Sequence, residues 1–185
     1  MKAPDKQEIL KYQNQDVIDR FIKIYGVTEE QAQQIFTDVK LWLWMACKVR
    51  AEGIDKPLVI DTALVVIDEM WHNFMLFTRD YTQFCERYFG TYMHHSPNTK
   101  PKIAEEKASM EELSLKERRE ALMDKKRWQY EFVYDHLGRD AFIRWYKTYP
   151  GLYTPHSLAE MALEAEQQRV DDKQAQLEAA VAKVA

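Results

Sequence analysis

The residues best suited to chemistry are concentrated in one stretch, DEMWHNFMLFTRDYTQFCERYFGTYMHH, which runs from Asp68 to His95. It contains three of the five histidines, one of the two cysteines and two adjacent carboxylates, set among many aromatic side chains. Imidazole, thiolate and carboxylate together are the ligands that proteins use for zinc, iron, copper or nickel. The stretch therefore indicates a metal-binding or catalytic site.

The element that would position these groups is a helix over residues 61–77. At about 100° per residue, its large apolar side chains share one broad side, the core side: Leu64, Ile67, Met70, Trp71, Phe74 and Phe77. The polar residues fall opposite: Asp68, Glu69, His72 and Asn73. Because Val65 and Leu76 lie on that polar side too, we expect another element to cover it, which would require partners for the polar groups.

The principal metal ligands predicted from this pattern are His72 and one of the pair His94 and His95. Pro97 restricts the preceding residue to an extended conformation, and neighbouring side chains of an extended segment point to opposite sides. Only one histidine of the pair is therefore expected to face His72.

The third ligand is left open between Asp68, Glu69, Cys85 and the second histidine. Asp68 precedes His72 by four residues, so it can either ligate the metal or orient the imidazole. If three protein ligands leave a position open, the metal could activate water or a small substrate, with Glu69 the nearest candidate base.

A structural interpretation competes with the metal site. Asp68 and His72 can form an ordinary ion pair on a polar helix face, and Cys85 shares the apolar side of its short helix with aromatic residues. The histidines would then be buried hydrogen-bonding groups that tie the segment around residues 94–95 to the core. Both interpretations remain open at the level of the sequence.

Composition and helix signals predict the fold class. Few glycines and prolines, with many Ala, Glu, Gln, Lys and Leu residues, are typical of helical proteins. We predict an all-α, single-domain irregular bundle of about six to seven helices, with an extended connector over residues 54–60 before the central helix. The domain is expected to cover residues 1–155, with its central segment at 61–97, and a long C-terminal helix to cover 156–185.

Capping residues and glycines predict where individual helices begin and end. A first helical region is expected to end at Gly26, and Thr28 to open the next helix through a capping box. Thr78 or Asp80 is expected to cap a short helix that ends at Gly90. Residues 96–109 are predicted to form a surface loop.

Signals in the second half of the chain predict the remaining helices. Ser109 or Ser114 is expected to start a helix that runs towards Gly138. A short aromatic helix is predicted over residues 140–149, ended by Pro150-Gly151, and Thr154 with Pro155 is predicted to start the last helix.

Charge and hydropathy exclude several classes of function. A net charge of −4 and an isoelectric point near 5.8 argue against a nucleic-acid binder, which needs a concentrated basic surface. No apolar run is long enough for a membrane span, and the first residues lack the apolar core of a signal peptide. We predict a cytoplasmic protein, with no membrane and no nucleic acid among its partners.

The central stretch resembles a segment of the glycine-rich-domain-containing-protein-like family, which occurs in bacteria, fungi and plants. That segment has the order D-x-x-W-H, a tyrosine, a cysteine, a glycine, and a histidine pair followed by proline. The matching positions are Asp68, Trp71, His72, Phe74, Leu76, Tyr81, Cys85, Gly90, His94, His95 and Pro97. The later YEFVYDHLGRDAFIRWY is similar to a stretch of bacterial members. The resemblance implies that Asp68, His72, Cys85, His94 and His95 form one constellation, and it brings no settled activity.

Two functions from different classes follow. The first is a metal site, with zinc favoured over iron or copper, that could be catalytic towards a small molecule. The second is a non-enzymatic interaction module, in which the helix over residues 156–185 supplies the surface for an unknown protein partner or a second copy of the chain.

Overall fold

The computed structural model describes residues 3–56, 58–96 and 99–182, and within these ranges the chain is α-helical and has no strand. The all-α prediction is confirmed. Pro97, from which the extended conformation before it was predicted, lies outside the described residues, as does Pro57 in the connector. The helical segments outnumber the six or seven predicted.

The N-terminal region forms two helices, α1 (Lys6–Leu10) and α2 (Gln15–Tyr25). Asn14 separates them because its side chain accepts a hydrogen bond from the backbone N–H of Val17 and so caps α2. Gly26 ends α2 in the left-handed conformation, with φ of 64°, as predicted. These two helices pack against the long helix that follows.

Helix α3 (Glu29–Ala51) is the central element of the core. The predicted capping box forms between Thr28 and Gln31, and the helix is buried on several sides because α1, α2 and α4 pack around it. Trp42 lies in the core, whereas the indole N–H of Trp44 donates to the carbonyl of Pro4 under the N-terminal segment. The two tryptophans therefore pack on different sides of α3, because residues two apart on a helix point in different directions.

The central helix comprises a 3₁₀ turn (Thr62–Leu64), capped by Asp61, and α4 (Val65–Leu76). The apolar side predicted from the sequence is buried except at Phe77, which is half-buried, and each fully buried side chain of this size stabilises the fold by about 1.5–3 kcal/mol. Helix α5 (Thr78–Phe89) follows at once and ends at Gly90. The prediction of a Thr78 or Asp80 cap is wrong, because Phe77 occupies the N-cap position without a side-chain bond.

The predicted loop over residues 96–109 is the main error in the expected fold. The chain instead forms α6 (Lys100–Glu111), which tolerates Pro101 because a proline in the first helical turn gives up no intrahelical hydrogen bond. Of the two proposed starts for the next helix, Ser114 is the one used. Its capping box with Glu117 begins α7 (Leu115–Leu137).

The C-terminal region is helical almost throughout. Helix α8 (Arg139–Ile143) continues through a π-helical turn (Arg144–Thr148) into α9 (Tyr149–Leu152), so the predicted stop at Pro150 is wrong. Pro150 instead lies in the first turn of α9. Helix α10 (Pro155–Ala182) begins after Thr154 as predicted and packs against α2. No helix within the described residues has the length and apolarity needed to cross a membrane.

Candidate functional site

Helix α4 and the segment after α5 bring two histidines and one aspartate together. Asp68 and His72 lie one turn apart on α4, and His95 approaches from residues 91–96, which carry no helix. One ligand atom from each of Asp68, His72 and His95 falls within 4.8 Å of the others. The site is therefore built from residues far apart in sequence.

Asp68 is closer to His95 than to the histidine on its own helix. Its Oδ1 lies 2.7 Å from Nε2 of His95, whereas its Oδ2 lies 3.9 Å from Nδ1 of His72. The rings of His72 and His95 have centroids 4.7 Å apart. In a tetrahedral zinc site with bonds of 2.0–2.1 Å, ligand atoms are about 3.3 Å apart. Small side-chain adjustments would therefore accommodate an ion.

A buried hydrogen-bond chain fixes the segment that carries His95. The indole N–H of Trp71 donates to the Tyr81 hydroxyl over 2.9 Å, and that hydroxyl donates to the carbonyl of Met93 over 2.5 Å. The Trp71 ring also packs against the His95 ring, with centroids 4.3 Å apart. Residues of α4 and α5 thus determine where His95 lies.

Cys85 and His94 lie apart from the three clustered ligand atoms. Cys85 is fully buried beside Tyr81 and the backbone of Met93, and burial raises the pKa of its thiol, which keeps it protonated and a poor ligand. His94 is exposed and packs on Tyr92, with ring centroids 4.7 Å apart. The structure thus places His95, and not His94, next to His72.

Helix α2 covers the other part of the polar side of α4. The Glu69 carboxylate accepts a hydrogen bond of 2.8 Å from the Tyr25 hydroxyl. Burial, and after it this contact, raises the pKa of Tyr25. Asn73 is buried, donates to the carbonyl of Val17 and accepts from Arg20. Glu69, the candidate base, is therefore engaged with α2.

The cluster opens onto a cleft of about 520 Å³, within the range of small-molecule sites. Sequence reasoning did not identify the part of its wall that comes from α3 and the connector. The lining residues are Trp42, Ala46, Leu58, Val59, Ile60, Asp68, Trp71, His72, His94, His95 and Ser96. No signal in the sequence places Trp42 or the connector beside the histidines.

Comparison with known proteins identifies a family. The model of the UCP032817-like family matches residues 6–128, more than half of the 185-residue chain, and the chain belongs to this uncharacterised family. The matched span includes Asp68, His72 and His95, whereas α8, α9 and α10 lie beyond it. No curated protein and no solved structure matches the chain at a significant level.

Proposed function

We propose that the protein binds one divalent transition-metal ion through Asp68, His72 and His95. The observation that carries the proposal is the convergence of one ligand atom from each residue within 4.8 Å, drawn from α4 and from the segment after α5. Two imidazoles and one carboxylate suit zinc, which we favour, and also non-haem iron, with copper a further candidate.

The exposure of the three side chains supports a site with open coordination positions. His95 and Asp68 have side chains 16% and 24% exposed, whereas that of His72 is 46% exposed at the mouth of the cleft. Three protein ligands leave at least one position free, at which a metal acts as a Lewis acid on water or on a substrate oxygen. Glu69 has no role as a base in this site, because its carboxylate accepts the hydrogen bond from the Tyr25 hydroxyl.

A cobalt titration tests the metal site. Co²⁺ added to metal-free protein should give visible absorption bands that saturate at one equivalent, and zinc should displace it. The His95→Ala variant should bind more than about tenfold more weakly, whereas His94→Ala, altered at the neighbouring histidine, should match the wild type. Equal binding by all three proteins would contradict the proposed ligand set.

The alternative is a non-enzymatic interaction module. It is favoured by the 2.7 Å contact between Asp68 and His95, which could tie the segment to α4 without an ion, and by exposed apolar residues on α10 such as Leu163 and Leu177. In that case His95→Ala should lower the free energy of unfolding by about 1–3 kcal/mol, and added metal should leave the wild-type stability unchanged.

We also propose that this chain and the glycine-rich-domain-containing-protein-like family share the residues of this site. The resemblance would then not depend on a shared arrangement of domains. The order of Asp68, His72 and His95 supports this proposal, because these three residues of the matching pattern are the ones that converge. A cytoplasmic location and homo-oligomers formed through α10 remain predictions from the sequence.

A further inference from the structure

The cleft beside the three candidate ligands has walls of different chemistry. Its polar side comes from α4 and the segment that carries His94 and His95, and its apolar side comes from α3 and the connector. The apolar side consists of Trp42, Ala46, Leu58, Val59 and Ile60. A molecule in this cleft would therefore meet ligating groups at one end and hydrocarbon at the other.

The apolar wall is held in place by a buried amide. Gln129, only 7% exposed, accepts a hydrogen bond of 2.8 Å from the N–H of Val59 and donates one of 3.0 Å to the carbonyl of the same residue. Its amide nitrogen also lies 3.0 Å from the Tyr146 hydroxyl. Both backbone groups of Val59 are thus fixed to α7, so the wall exists before any ligand arrives.

Trp42 supports the apolar side of the cleft from below. It is 3% exposed and packs against Trp145, with ring centroids 6.1 Å apart. The apolar surface that a ligand can contact comes from the partly buried residues beside it, Ala46, Leu58, Val59 and Ile60. A preformed apolar surface loses little conformational entropy when a ligand binds. Such a surface binds a rigid ring better than a flexible polar group.

The charges in the cleft restrict the ligand further. Asp68 is the one carboxylate among the described lining residues, none of which is lysine or arginine. The ammonium of Lys102 donates to the hydroxyl of Ser96, which follows His95 in the chain, so this cation lies at the same end as the ligating groups. A phosphate group at the apolar end would meet no cation among the described lining residues, whereas a neutral ring requires none. The lining therefore suits a ligand whose charge is confined to the end that meets the metal.

We infer that the cleft binds a small molecule with a flat apolar ring and an oxygen-donor head, such as a carboxylate or hydroxamate, which coordinates the metal held by Asp68, His72 and His95. This inference rests on the proposed function. The ring lies against Ala46 and the connector, and the head occupies the open coordination positions. The cleft volume of about 520 Å³ accommodates a ligand of one or two rings.

Two hydroxamates with the same head test the inference. Full-length, zinc-loaded protein is titrated calorimetrically with benzohydroxamate and with acetohydroxamate. The benzo compound should bind at least about tenfold more tightly, because its ring removes additional apolar surface from water. The Ala46→Leu variant, which narrows the cleft, should lose this preference and keep its zinc affinity. The Ala121→Leu variant, changed at an exposed site on α7, should retain the preference for benzohydroxamate and the zinc affinity.

The outcomes separate the two proposals. Equal affinities for the two hydroxamates on zinc-loaded protein would overturn the inference about the cleft and leave the metal site standing. Benzohydroxamate binding that is equally strong without zinc would also overturn it, since the head would then not coordinate the metal. Failure of the protein to bind zinc at all would overturn the proposed function, and the cleft inference with it.

Discussion

Asp68 is the residue on which the site depends most, because it contacts both histidines. Its two oxygens face different partners, His95 at 2.7 Å and His72 at 3.9 Å. A carboxylate in this position can ligate a metal directly or hold an imidazole in the orientation that binds one. In either role, the negative charge of the Asp68 carboxylate matters more for metal binding than the shape of the side chain.

The Asp68→Asn variant tests that role. We expect metal affinity to fall by more than about 100-fold, because the amide keeps the shape but is a poor ligand, while the free energy of unfolding changes by less than about 1 kcal/mol. Glu69→Gln is the matched control at the adjacent position, since Glu69 bonds to Tyr25, and its metal affinity should equal that of the wild type. Equal losses in both variants would exclude a specific role for Asp68.

Lys40 gives the protein a distinct dependence of stability on pH. Its ammonium is 1% exposed and donates to the carbonyls of Leu10 and Tyr12, and burial lowers its pKa to about 8. Between this pKa and the ordinary lysine pKa of 10.5, the unfolded chain holds the Lys40 proton and the folded chain does not. The Lys40 contribution to stability therefore rises with pH across that window.

Comparison with Lys40→Met isolates this contribution. Between pH 7.5 and 9.5, the free energy of unfolding of the wild type should gain about 2 kcal/mol relative to the variant, as measured by urea denaturation. Burial raises the pKa values of the Cys47 and Cys85 thiols, so their contributions to stability fall as the pH rises. Both thiols titrate in the wild type and in the variant, so these contributions cancel in the difference between the two proteins. Parallel pH profiles would show that Lys40 stays charged in the folded state.

The residues of the site could be predicted from sequence only in part. Asp68, His72 and the histidine pair were identified from residue type and helical spacing, but the choice of His95 over His94 depends on tertiary contacts of the segment. Asn73 illustrates the same limit, because it falls opposite the core side of α4 and is nevertheless buried against α2. A helical wheel contains no information about which neighbour covers a face.

At the scale of secondary-structure elements, the site depends on how α5 holds the segment around residue 95. The Tyr81 hydroxyl is the middle member of the buried chain from the Trp71 indole to the Met93 carbonyl. Desolvation raises the pKa of Tyr81 far above its ordinary value, so the hydroxyl stays protonated and can donate. This single group connects α4, α5 and the His95 segment.

Replacing Tyr81 with phenylalanine should therefore affect stability and metal binding together. The change leaves a buried indole N–H and a buried carbonyl without their partner, which should cost about 2 kcal/mol of unfolding free energy. Without the hydrogen bond from residue 81 to the carbonyl of Met93, the segment that carries His95 is held less firmly. The variant should therefore bind metal about 10–100-fold more weakly in calorimetric titration.

The control for this variant is Tyr88→Phe, which removes a half-buried hydroxyl from the same helix outside the chain of bonds. Its metal affinity should be unchanged. If Tyr81→Phe weakened stability and left metal affinity intact, the His95 segment would be positioned by other contacts, such as the packing of the Trp71 ring.

Element boundaries were predicted well at capping boxes and glycine ends. They were predicted poorly at the expected Thr78 or Asp80 cap and where proline was interpreted as a stop. The capping boxes at Thr28 and Ser114 and the glycine ends at Gly26 and Gly90 all form. Pro101 and Pro150 were interpreted as loop or stop signals, yet both lie within helical segments. Pro101 is in the first turn of α6, where a missing N–H gives up no intrahelical hydrogen bond, and Pro150 lies just after the π-helical turn that leads into α9. Proline alone does not distinguish the end of one helix from the start of the next.

At the scale of the whole molecule, α10 divides into an attached part and an exposed part. Leu158 is buried, Ala165 approaches Gly26 of α2, and the Arg169 side chain bonds to the carbonyl of Lys23. Every described residue from Val170 to Ala182 is exposed. The attachment to the rest of the fold therefore ends near Arg169.

Truncation after Val170 tests this division. Because the removed residues bury almost no surface, the free energy of unfolding should change by less than about 0.5 kcal/mol, while the helical circular dichroism signal falls. Truncation after Leu152, which also removes Leu158 and the contacts to α2, should destabilise the fold strongly. A large loss of stability in the shorter deletion would mean that the exposed part of α10 is covered in solution.

The architecture also explains why the cleft was not predicted. Its walls come from three separate stretches of the chain: α3 at Trp42 and Ala46, the connector at residues 58–60, and the site segment at residues 68–96. The sequence predicts each stretch, but their meeting depends on long-range contacts such as the pairing of Gln129 with Val59. Periodicity and capping are local properties and do not determine such contacts.

Elemental analysis tests the central claim most directly. The untagged protein is purified without chelator, reconstituted with zinc, iron or copper, and compared with His72→Ala/His95→Ala and with His94→Ala. The claim predicts close to one metal ion per chain in the wild type and in His94→Ala, and none in the double variant. A wild-type protein that retains no metal after reconstitution, or a double variant that retains as much as the wild type, would contradict it.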